Sequence, residues 1–298
     1  MRPYFTIIIP TYNRASLISE TLETVKNQVF NDFEVILIDN GSIDDTESAV
    51  VPYLQDARFT YFKLGINRER AWARNTGLEK ATGKFVTFLD SDDFMYPFCL
   101  RDAYNFSLEN PSVKFFHNLY ELVDDKRRRI YKFHFPSLTN QFKALATGNF
   151  VACIGGFISR DIYENVRFNT DPKMIGAEDY EVWFDVFSRC SIGRIDRVNS
   201  GIRDHSSRSV HNGVFNNLAY QENSLISRIL GTPHIRQKFY KYTPRIRAGF
   251  QLHRAVIHRK SGSFFKSIGL LASAICNDPS VLLTRRFLSS LYNIIKPL

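Results

Sequence analysis

The chain has 298 residues, of which 44% are hydrophobic and 23% charged, and its net charge at pH 7 is +9. These proportions are typical of a folded globular protein and exclude an intrinsically disordered chain. The length allows one large α/β domain or one domain with an appendage. No apolar run approaches the roughly 20 residues that cross a bilayer, and the N-terminal apolar run, closed by Pro10, predicts a first β-strand rather than a secretory signal.

The spacing of the cysteines and the distribution of charge along the chain each limit the possible interpretations. The four cysteines contain no C-x-x-C pair, which argues against a zinc site or a disulfide framework and favours a reduced, cytoplasmic setting. Residues 228–298 hold 13 Lys or Arg and a single acid, Asp278, so this region has a net charge of +12. Because the whole chain is +9, residues 1–227 carry −3. The basic character therefore belongs to the C-terminal region.

The first hundred residues alternate between the periods of strands and helices, which predicts parallel strands joined by crossing helices. The carboxyl ends of such strands gather at one edge of the sheet, where α/β proteins bind ligands. Polar residues follow three of the predicted strands, at residues 11–14, 39–42 and 90–93. The predicted strands cover residues 5–9, 33–38, 59–64 and 85–89, and the predicted helices cover about 16–29, 44–54 and 70–80.

The rest of the chain has a different pattern. Shorter strands are predicted at residues 113–119, 130–135 and 192–195, and a helix begins at about Glu178. After residue 215 the pattern is helical, with breaks near Pro233, Pro244, Gly262 and Pro279. We therefore expect an α/β domain over residues 1–215 and a basic, amphipathic helical region over residues 216–298.

The segment FVTFLDSDD, residues 85–93, places three carboxylates directly after a predicted buried strand. Such a cluster repels itself unless a positive group lies among the oxygens. Mg²⁺ and Mn²⁺ prefer oxygen ligands, and one or two carboxylates plus substrate phosphates typically hold them. The alternative is that these aspartates only form a turn and cap a helix.

Four separated segments together resemble the family 2 glycosyltransferases, which have the GT-A fold, a mixed, mostly parallel sheet flanked by helices. The resemblance covers about residues 4–210 and implies an inverting enzyme that uses a nucleotide-diphosphate sugar. The segments are IIIPTYNR (7–14), VILIDNGSIDDT (35–46), NRERAWARNTGLEKATGKFVTFLDSDD (67–93) and GAEDYEVWFDVF (176–187).

The resemblance implies a nucleotide site at the strand ends. Asp39 is suited to accept the N3–H of uracil, a donor that cytosine lacks, so the donor is expected to be UDP-linked. Arg74 is expected near the nucleotide phosphates, because its planar guanidinium matches phosphate oxygens. For Asp39 and Arg74 the alternatives are a turn residue and a solvent-facing helix residue. The predicted nucleotide-binding residues are Pro10, Thr11, Tyr12, Asp39, Arg74, Asp90, Ser91 and Arg203.

The resemblance also implies a divalent cation, Mn²⁺ or Mg²⁺, with Asp90, Asp92 and His205 as its predicted ligands. Arg203, His205 and Arg208 lie in GIRDHSSRS (201–209), which resembles the family segment that contacts the diphosphate or its metal. A lone histidine is more often structural than a ligand. The predicted catalytic base is Asp179, the aspartate of the Glu-Asp pair that opens a helix; the alternative is that both acids only favour the positive end of that helix.

Three further expectations concern the acceptor and the C-terminal region. The Gln-x-x-Arg-Trp motif of processive members is missing from the sequence, which favours transfer of a single sugar. Basic helices with apolar stripes favour a peripheral location on the inner face of the cell membrane. Together with this location, the family resemblance implies a glycan or a polyisoprenyl-diphosphate-linked glycan as acceptor, in cell-surface polysaccharide synthesis. The same stripes allow packing on the first domain or a homodimer.

Two other function classes fit parts of the sequence. A nucleotidyltransferase would share the metal and nucleotide site, but such enzymes usually carry a glycine-rich N-terminal loop, and IPTYNRASL has no glycine. A nucleic-acid-binding protein would explain the basic tail through phosphate contacts. The aspartates at the strand ends would repel a polyanion, so no nucleic-acid partner is expected.

Overall fold

A computed structural model describes residues 2–205, 208 and 217–296. Within these residues nine strands form one mixed sheet in the order β3-β2-β1-β4-β8-β6-β9-β5, and β7 pairs with β6. The strands are β1 (Phe5–Thr11), β2 (Phe33–Asp39), β3 (Phe59–Lys63), β4 (Phe85–Phe88), β5 (Phe94–Met95), β6 (Phe115–Val123), β7 (Arg129–Lys132), β8 (Gly156–Ser159) and β9 (Ile192–Arg203).

The first four strands are parallel, as the sequence predicts. β1 lies between β2 and β4, with Thr11 opposite Asp39 at the carboxyl ends of β1 and β2. Beyond β4 the sheet is mixed, because β8 runs antiparallel to both β4 and β6, whereas β9 runs parallel to β6. The polar segments after β1, β2 and β4 therefore meet at one edge.

Helices cover both faces of the sheet and form the C-terminal region. They are α1 (Ile18–Lys26), α2 (Thr46–Val50), α3 (Glu69–Lys80), α4 (Cys99–Glu109), α5 (Gln141–Thr147), α6 (Arg160–Tyr163), α7 (Glu178–Arg189), α8 (Leu218–Gly231), α9 (Pro233–Phe239), α10 (Thr243–Lys260), α11 (Phe264–Asn277) and α12 (Arg285–Ile295).

Several element boundaries differ from the sequence prediction, and two of them show how tertiary contacts set the length of an element. Helix α1 ends at Lys26, and Val29 is half-exposed because its backbone N–H donates to the Pro97 carbonyl instead of continuing the helix. The strand predicted at residues 192–195 continues to Arg203, because it pairs with β6 along most of that strand's length through two register shifts. Tertiary pairing thus extends an element whose local pattern is short.

The alternation of side chains along β1 supplies two cores. Phe5, Ile7 and Ile9 pack with α1 and α4 on one face, whereas Ile8 packs on the other face with residues of α3 and α7. Residues of α8, α9 and the first half of α10 share that second core, and α10, α11 and α12 enclose a separate small core. The boundary predicted after residue 215 lies outside the described residues and stays a prediction.

Among the described residues, no helix has both the length and the apolar character needed to cross a membrane.

Candidate active site

A cavity of about 390 Å³ opens where the segments after β1, β2 and β4 meet helix α3. Two loops that frame it are locked together, because Asn13 N–H donates to Ser42 Oγ (2.9 Å) and Asn13 Oδ1 accepts from Ile43 N–H (3.0 Å). Gly41 has a φ of 83°, and a Cβ there would lie 2.9 Å from the Ile66 carbonyl carbon, so the turn requires glycine. The lining residues are Pro10, Thr11, Tyr12, Arg14, Asn40, Asn67, Glu69, Arg70, Ala73, Asp90, Ser91, Asp92, Asp93 and Arg208.

Asp92 is the most heavily contacted carboxylate in this cavity. Its Oδ2 accepts a hydrogen bond from Arg14 Nε (3.2 Å) and lies 3.1 Å from His205 Nε2. Burial acts to raise the pKa of Asp92, but the hydrogen bond with His205 and the charge of Arg14 lower it below its ordinary value. The structure thus brings together Asp92 and His205, two of the predicted metal ligands.

Asp93, the third acid of the cluster, is hydrogen-bonded to the backbone of strand β9. It is 5% exposed, and its Oδ1 accepts the Arg203 backbone N–H (3.0 Å), which ties the turn after β4 to β9. Burial, and secondarily the charges of Asp92 and Asp90, raise its pKa well above the ordinary value.

Arg74 connects the acidic cluster to helix α7. Its side chain is 2% exposed; Nη2 donates to Asp90 Oδ1 (2.7 Å), and Nη1 donates to Glu178 Oε1 (3.1 Å). Arg70, one turn earlier on α3, places Nε 3.9 Å from the same Glu178 oxygen. Arg74 therefore does not line the cavity but holds Asp90 and the start of α7 next to each other.

Asp179, the predicted base, is the second residue of α7. Its Oδ2 accepts from Asn149 Nδ2 (3.2 Å), and its Oδ1 accepts the backbone N–H of Tyr180 (2.6 Å). Burial and the neighbouring charge of Glu178 raise the pKa of Asp179 to about 7, although Arg74 acts in the opposite direction. A carboxyl group with a pKa near 7 is suited to accept a proton during catalysis.

Several other predicted residues also meet at this cavity. Pro10, Thr11, Tyr12 and Ser91 line it. The Thr11 hydroxyl is buried and has no hydrogen-bond partner among the described residues, so it is available to a ligand.

Asp39 and Arg203 are not brought to the cavity. Asp39 is fully buried; its Oδ1 accepts from the Ser42 N–H (2.7 Å) and its Oδ2 accepts from the Tyr61 hydroxyl. Arg203 donates to Glu20, and its guanidinium carbon lies 4.8 Å from the centroid of the Phe94 ring. The binding roles assigned to both residues stay predictions. Arg208 does line the cavity, whereas Ser206, Ser207 and Ser209 of the same segment lie outside the described residues.

Sequence reasoning missed part of the site. Arg70 carries a detectable signal, because it precedes Arg74 by four residues on a predicted helix. Glu69 and Asn13 have positive φ values of 70° and 51°, in the left-handed region that costs energy for such residues and recurs at functional sites. The missed residues of the site are Asn67, Glu69 and Arg70. The sequence analysis placed Arg14 and Asn40 at the strand-end edge and Glu178 beside Asp179, but gave them no role of their own.

The sequence profile described as Glycosyl transferase family 2 matches residues 6–167, which is more than half of the chain. The chain belongs to this family. This confirms the family resemblance; the match covers the first three of the four segments, and the fourth, residues 176–187, lies beyond it.

Two relatives show the range of similarity within the family. The chain is 32% identical over 206 residues to an uncharacterized glycosyltransferase of Rickettsia felis, a match that covers 66% of this chain and 32% of that protein. It is 30% identical over 223 residues to the Escherichia coli UDP-Glc:alpha-D-GlcNAc-diphosphoundecaprenol beta-1,3-glucosyltransferase WfaP, covering 74% of this chain and 85% of that one. The chain thus spans about a third of the length of the Rickettsia relative.

Two solved structures share the fold. S. aureus TarS 1-349 in complex with UDP-GlcNAc superposes with a TM-score of 0.62 at 18% identity, covering 92% of this chain and 90% of that one. The mannosyltransferase PcManGT of Pyrobaculum calidifontis, in complex with GDP-Man and Mn²⁺, gives a TM-score of 0.59 at 20% identity, covering 99% and 86%. The predicted GT-A fold with a C-terminal helical region is confirmed.

Proposed function

We propose that this protein is an inverting glycosyltransferase that moves one sugar from a UDP-sugar to a hydroxyl of a lipid-linked glycan. The observation that carries the proposal is the buried Arg74, which binds Asp90 at the strand edge and Glu178 beside Asp179. Through this contact the acidic nucleotide cavity and a carboxyl group with a pKa near 7 become neighbours.

The donor is expected to bind in the cavity at the strand ends. Thr11 offers an unpartnered hydroxyl, and Arg14, Arg70 and Arg208 supply positive charge to a cavity that also contains four acids. TarS is described in complex with UDP-GlcNAc, and the WfaP relative is named for its use of UDP-Glc. Both observations favour a UDP-sugar as donor.

A divalent cation, Mn²⁺ or Mg²⁺, fits the residues at this edge. Asp92 offers a carboxylate, the ligand that such cations take together with phosphate oxygens, and His205 Nε2 lies 3.1 Å from that carboxylate. Asp90 is engaged by Arg74, so we place it second to these two as a ligand. When bound, the cation neutralises negative charge on the leaving diphosphate.

The transfer step assigns the proton to Asp179. The oxygen of the acceptor hydroxyl attacks the anomeric carbon, Asp179 takes the hydroxyl proton, and the bond from that carbon to the diphosphate oxygen breaks, so UDP leaves with the electron pair. Attack from the side opposite UDP inverts the anomeric configuration. Asn149 holds the Asp179 carboxylate through its side-chain amide and thereby orients the base.

The surface of helix α12 supports the proposed acceptor and the proposed location at a membrane. Leu288, Tyr292 and Ile295 repeat at helical spacing along α12 and are 59, 64 and 66% exposed, so α12 presents an apolar stripe. Lys296 and Arg285 flank this stripe, as in helices that lie at an anionic membrane surface. The WfaP relative is named for an undecaprenol-diphosphate acceptor. We therefore propose a lipid-linked acceptor reached from the membrane surface.

Screening a panel of nucleotide sugars for hydrolysis and transfer in the presence of Mn²⁺ tests this function. We expect one UDP-sugar to be consumed, and UDP with Mn²⁺ to raise the melting temperature. A protein that UDP does not stabilise but that binds duplex DNA in a salt-sensitive manner would support the nucleic-acid alternative. Condensation of a nucleoside triphosphate with a sugar phosphate would support the nucleotidyltransferase.

A further inference from the structure

A second cavity, of about 800 Å³, is lined by residues next to Asp179 and shares no lining residue with the cavity at the strand ends. Asn149, Ala177 and Tyr180, which surround Asp179 in sequence or by hydrogen bond, form one end of it. Residues of the C-terminal helices α8, α10 and α12 also line it. The cavity therefore joins the predicted base to the part of the chain that carries the excess positive charge.

The two cavities differ in charge. Asp90, Asp92 and Asp93 line the first, whereas no Asp or Glu among the described residues lines the second. The second instead contains Arg285 and Arg286 beside an apolar surface that includes Phe150 and Phe250. A cavity of this kind favours a ligand that is both anionic and apolar.

Arg286 is the distinctive group of this cavity. Its Nη1 donates to the Thr147 carbonyl (3.2 Å), and no carboxylate of a described residue lies within ion-pair distance of it. Asp278, the single acid of residues 228–298, is already paired with Arg245 at 2.8 Å. Burial lowers the pKa of Arg286 below its ordinary value, so the surrounding protein does not compensate its charge.

Space for this guanidinium depends on a glycine. A Cβ at Gly148 would lie 2.8 Å from Arg286 Nη1, so only glycine at this position leaves the side chain where it is. The residues are 138 positions apart in the sequence and meet because the Arg286 side chain, at the start of α12, reaches Thr147 and Gly148 at the end of α5. Arg286 lines the cavity, and phosphate oxygens match the geometry of guanidinium N–H groups.

We propose that this second cavity is the acceptor site, and that Arg286 binds the phosphate oxygens of an acceptor whose sugar is joined through a diphosphate to an apolar chain. The inference rests on the proposed function, because it assigns the cavity next to the proposed base to the acceptor. The sugar lies toward Asp179 and Tyr180, and the apolar chain leaves past Phe250 toward the exposed stripe of α12.

Binding of farnesyl diphosphate, measured by calorimetry with UDP and Mn²⁺ held at saturation, tests the proposal. Saturation with UDP blocks the nucleotide cavity as an alternative diphosphate site. We expect Arg286→Gln to weaken farnesyl diphosphate binding by about tenfold or more, since it removes charge-assisted hydrogen bonds. Gly148→Ala, which displaces the guanidinium but keeps its charge, should weaken binding in the same direction. Arg236→Gln, at an exposed arginine of α9, is the matched control and should bind as the wild type does.

Two further ligands separate the contributions to binding. Farnesol should bind Arg286→Gln and the wild type equally, and inorganic pyrophosphate should bind the wild type more weakly than farnesyl diphosphate. Equal affinity of Arg286→Gln and the wild type for farnesyl diphosphate, while UDP still binds both, would overturn the acceptor site and leave the proposed function intact. Failure of the wild type to bind UDP or consume any UDP-sugar would instead overturn the proposed function.

Discussion

Asp179 is the proposed general base, so its substitution tests the transfer step directly. Asp179→Asn keeps the side-chain shape but cannot accept the hydroxyl proton, so we expect kcat to fall by about 10²–10⁴-fold, the range typical of general-base catalysis. UDP affinity should stay at the wild-type value, because Asp179 does not line the nucleotide cavity. Kinetics with UDP titration would check both. Asp161→Asn, at an exposed acid of α6, is the control, and lost UDP affinity in Asp179→Asn would contradict the assignment.

The raised pKa of Asp179 also predicts how activity and stability depend on pH. The base works only when ionised, so kcat/KM should rise with pH and level off above a pKa of about 7. Because the folded pKa exceeds the ordinary value of 3.8, ionisation costs the wild-type fold stability as pH rises between these values. The free energy of unfolding of Asp179→Asn should therefore rise relative to that of the wild type as pH increases. At about 1.4 kcal/mol per pKa unit, this difference amounts to at most roughly 4 kcal/mol. A pH-independent difference in denaturant unfolding would contradict the raised pKa.

At the scale of elements, Arg74 joins α3, the end of β4 and the start of α7. Removing it leaves Glu178, which is 5% exposed, as a buried charge without its strongest partner. We expect Arg74→Met to lower the free energy of unfolding by roughly 3 kcal/mol, the cost typical of breaking a buried ion pair. Arg74→Met combined with Glu178→Gln should recover part of this loss, since the uncompensated charge is then removed. Denaturant unfolding measures the stability of both variants. If Arg74→Met were as stable as the wild type, the ion pairs of Arg74 would not contribute to stability.

At the scale of the whole molecule, the basic region places an apolar stripe of α12 on the surface. Leu288→Glu with Tyr292→Glu puts two acids among cations that would otherwise meet anionic lipid, so flotation with anionic liposomes should decrease strongly. Each substitution is at an exposed side chain, and folding should be retained. Leu108→Glu with Ile130→Glu makes the same change at exposed positions elsewhere and should leave flotation unchanged. A wild type that stays unbound at low salt would contradict the membrane proposal.

The amino-acid sequence was enough to predict the first four strands, their parallel direction and the edge at which Thr11, Asp90 and Asp92 meet, because local periodicity and strand-end polarity specify these features. It did not specify their order in the sheet, which is β3-β2-β1-β4. It also marked Asp179, through the motif that opens α7. The contacts of Arg74 with Asp90 and Glu178, and of Asp39 with Ser42 and Tyr61, are seen in the folded structure alone. The nucleotide-binding roles of Arg74 and Asp39 stay predictions. Apart from the local contact of Asp39 with Ser42, these contacts join residues that are 16 to 104 positions apart in the chain. Their geometry depends on how the helices pack on the sheet, and local residue patterns do not predict this packing.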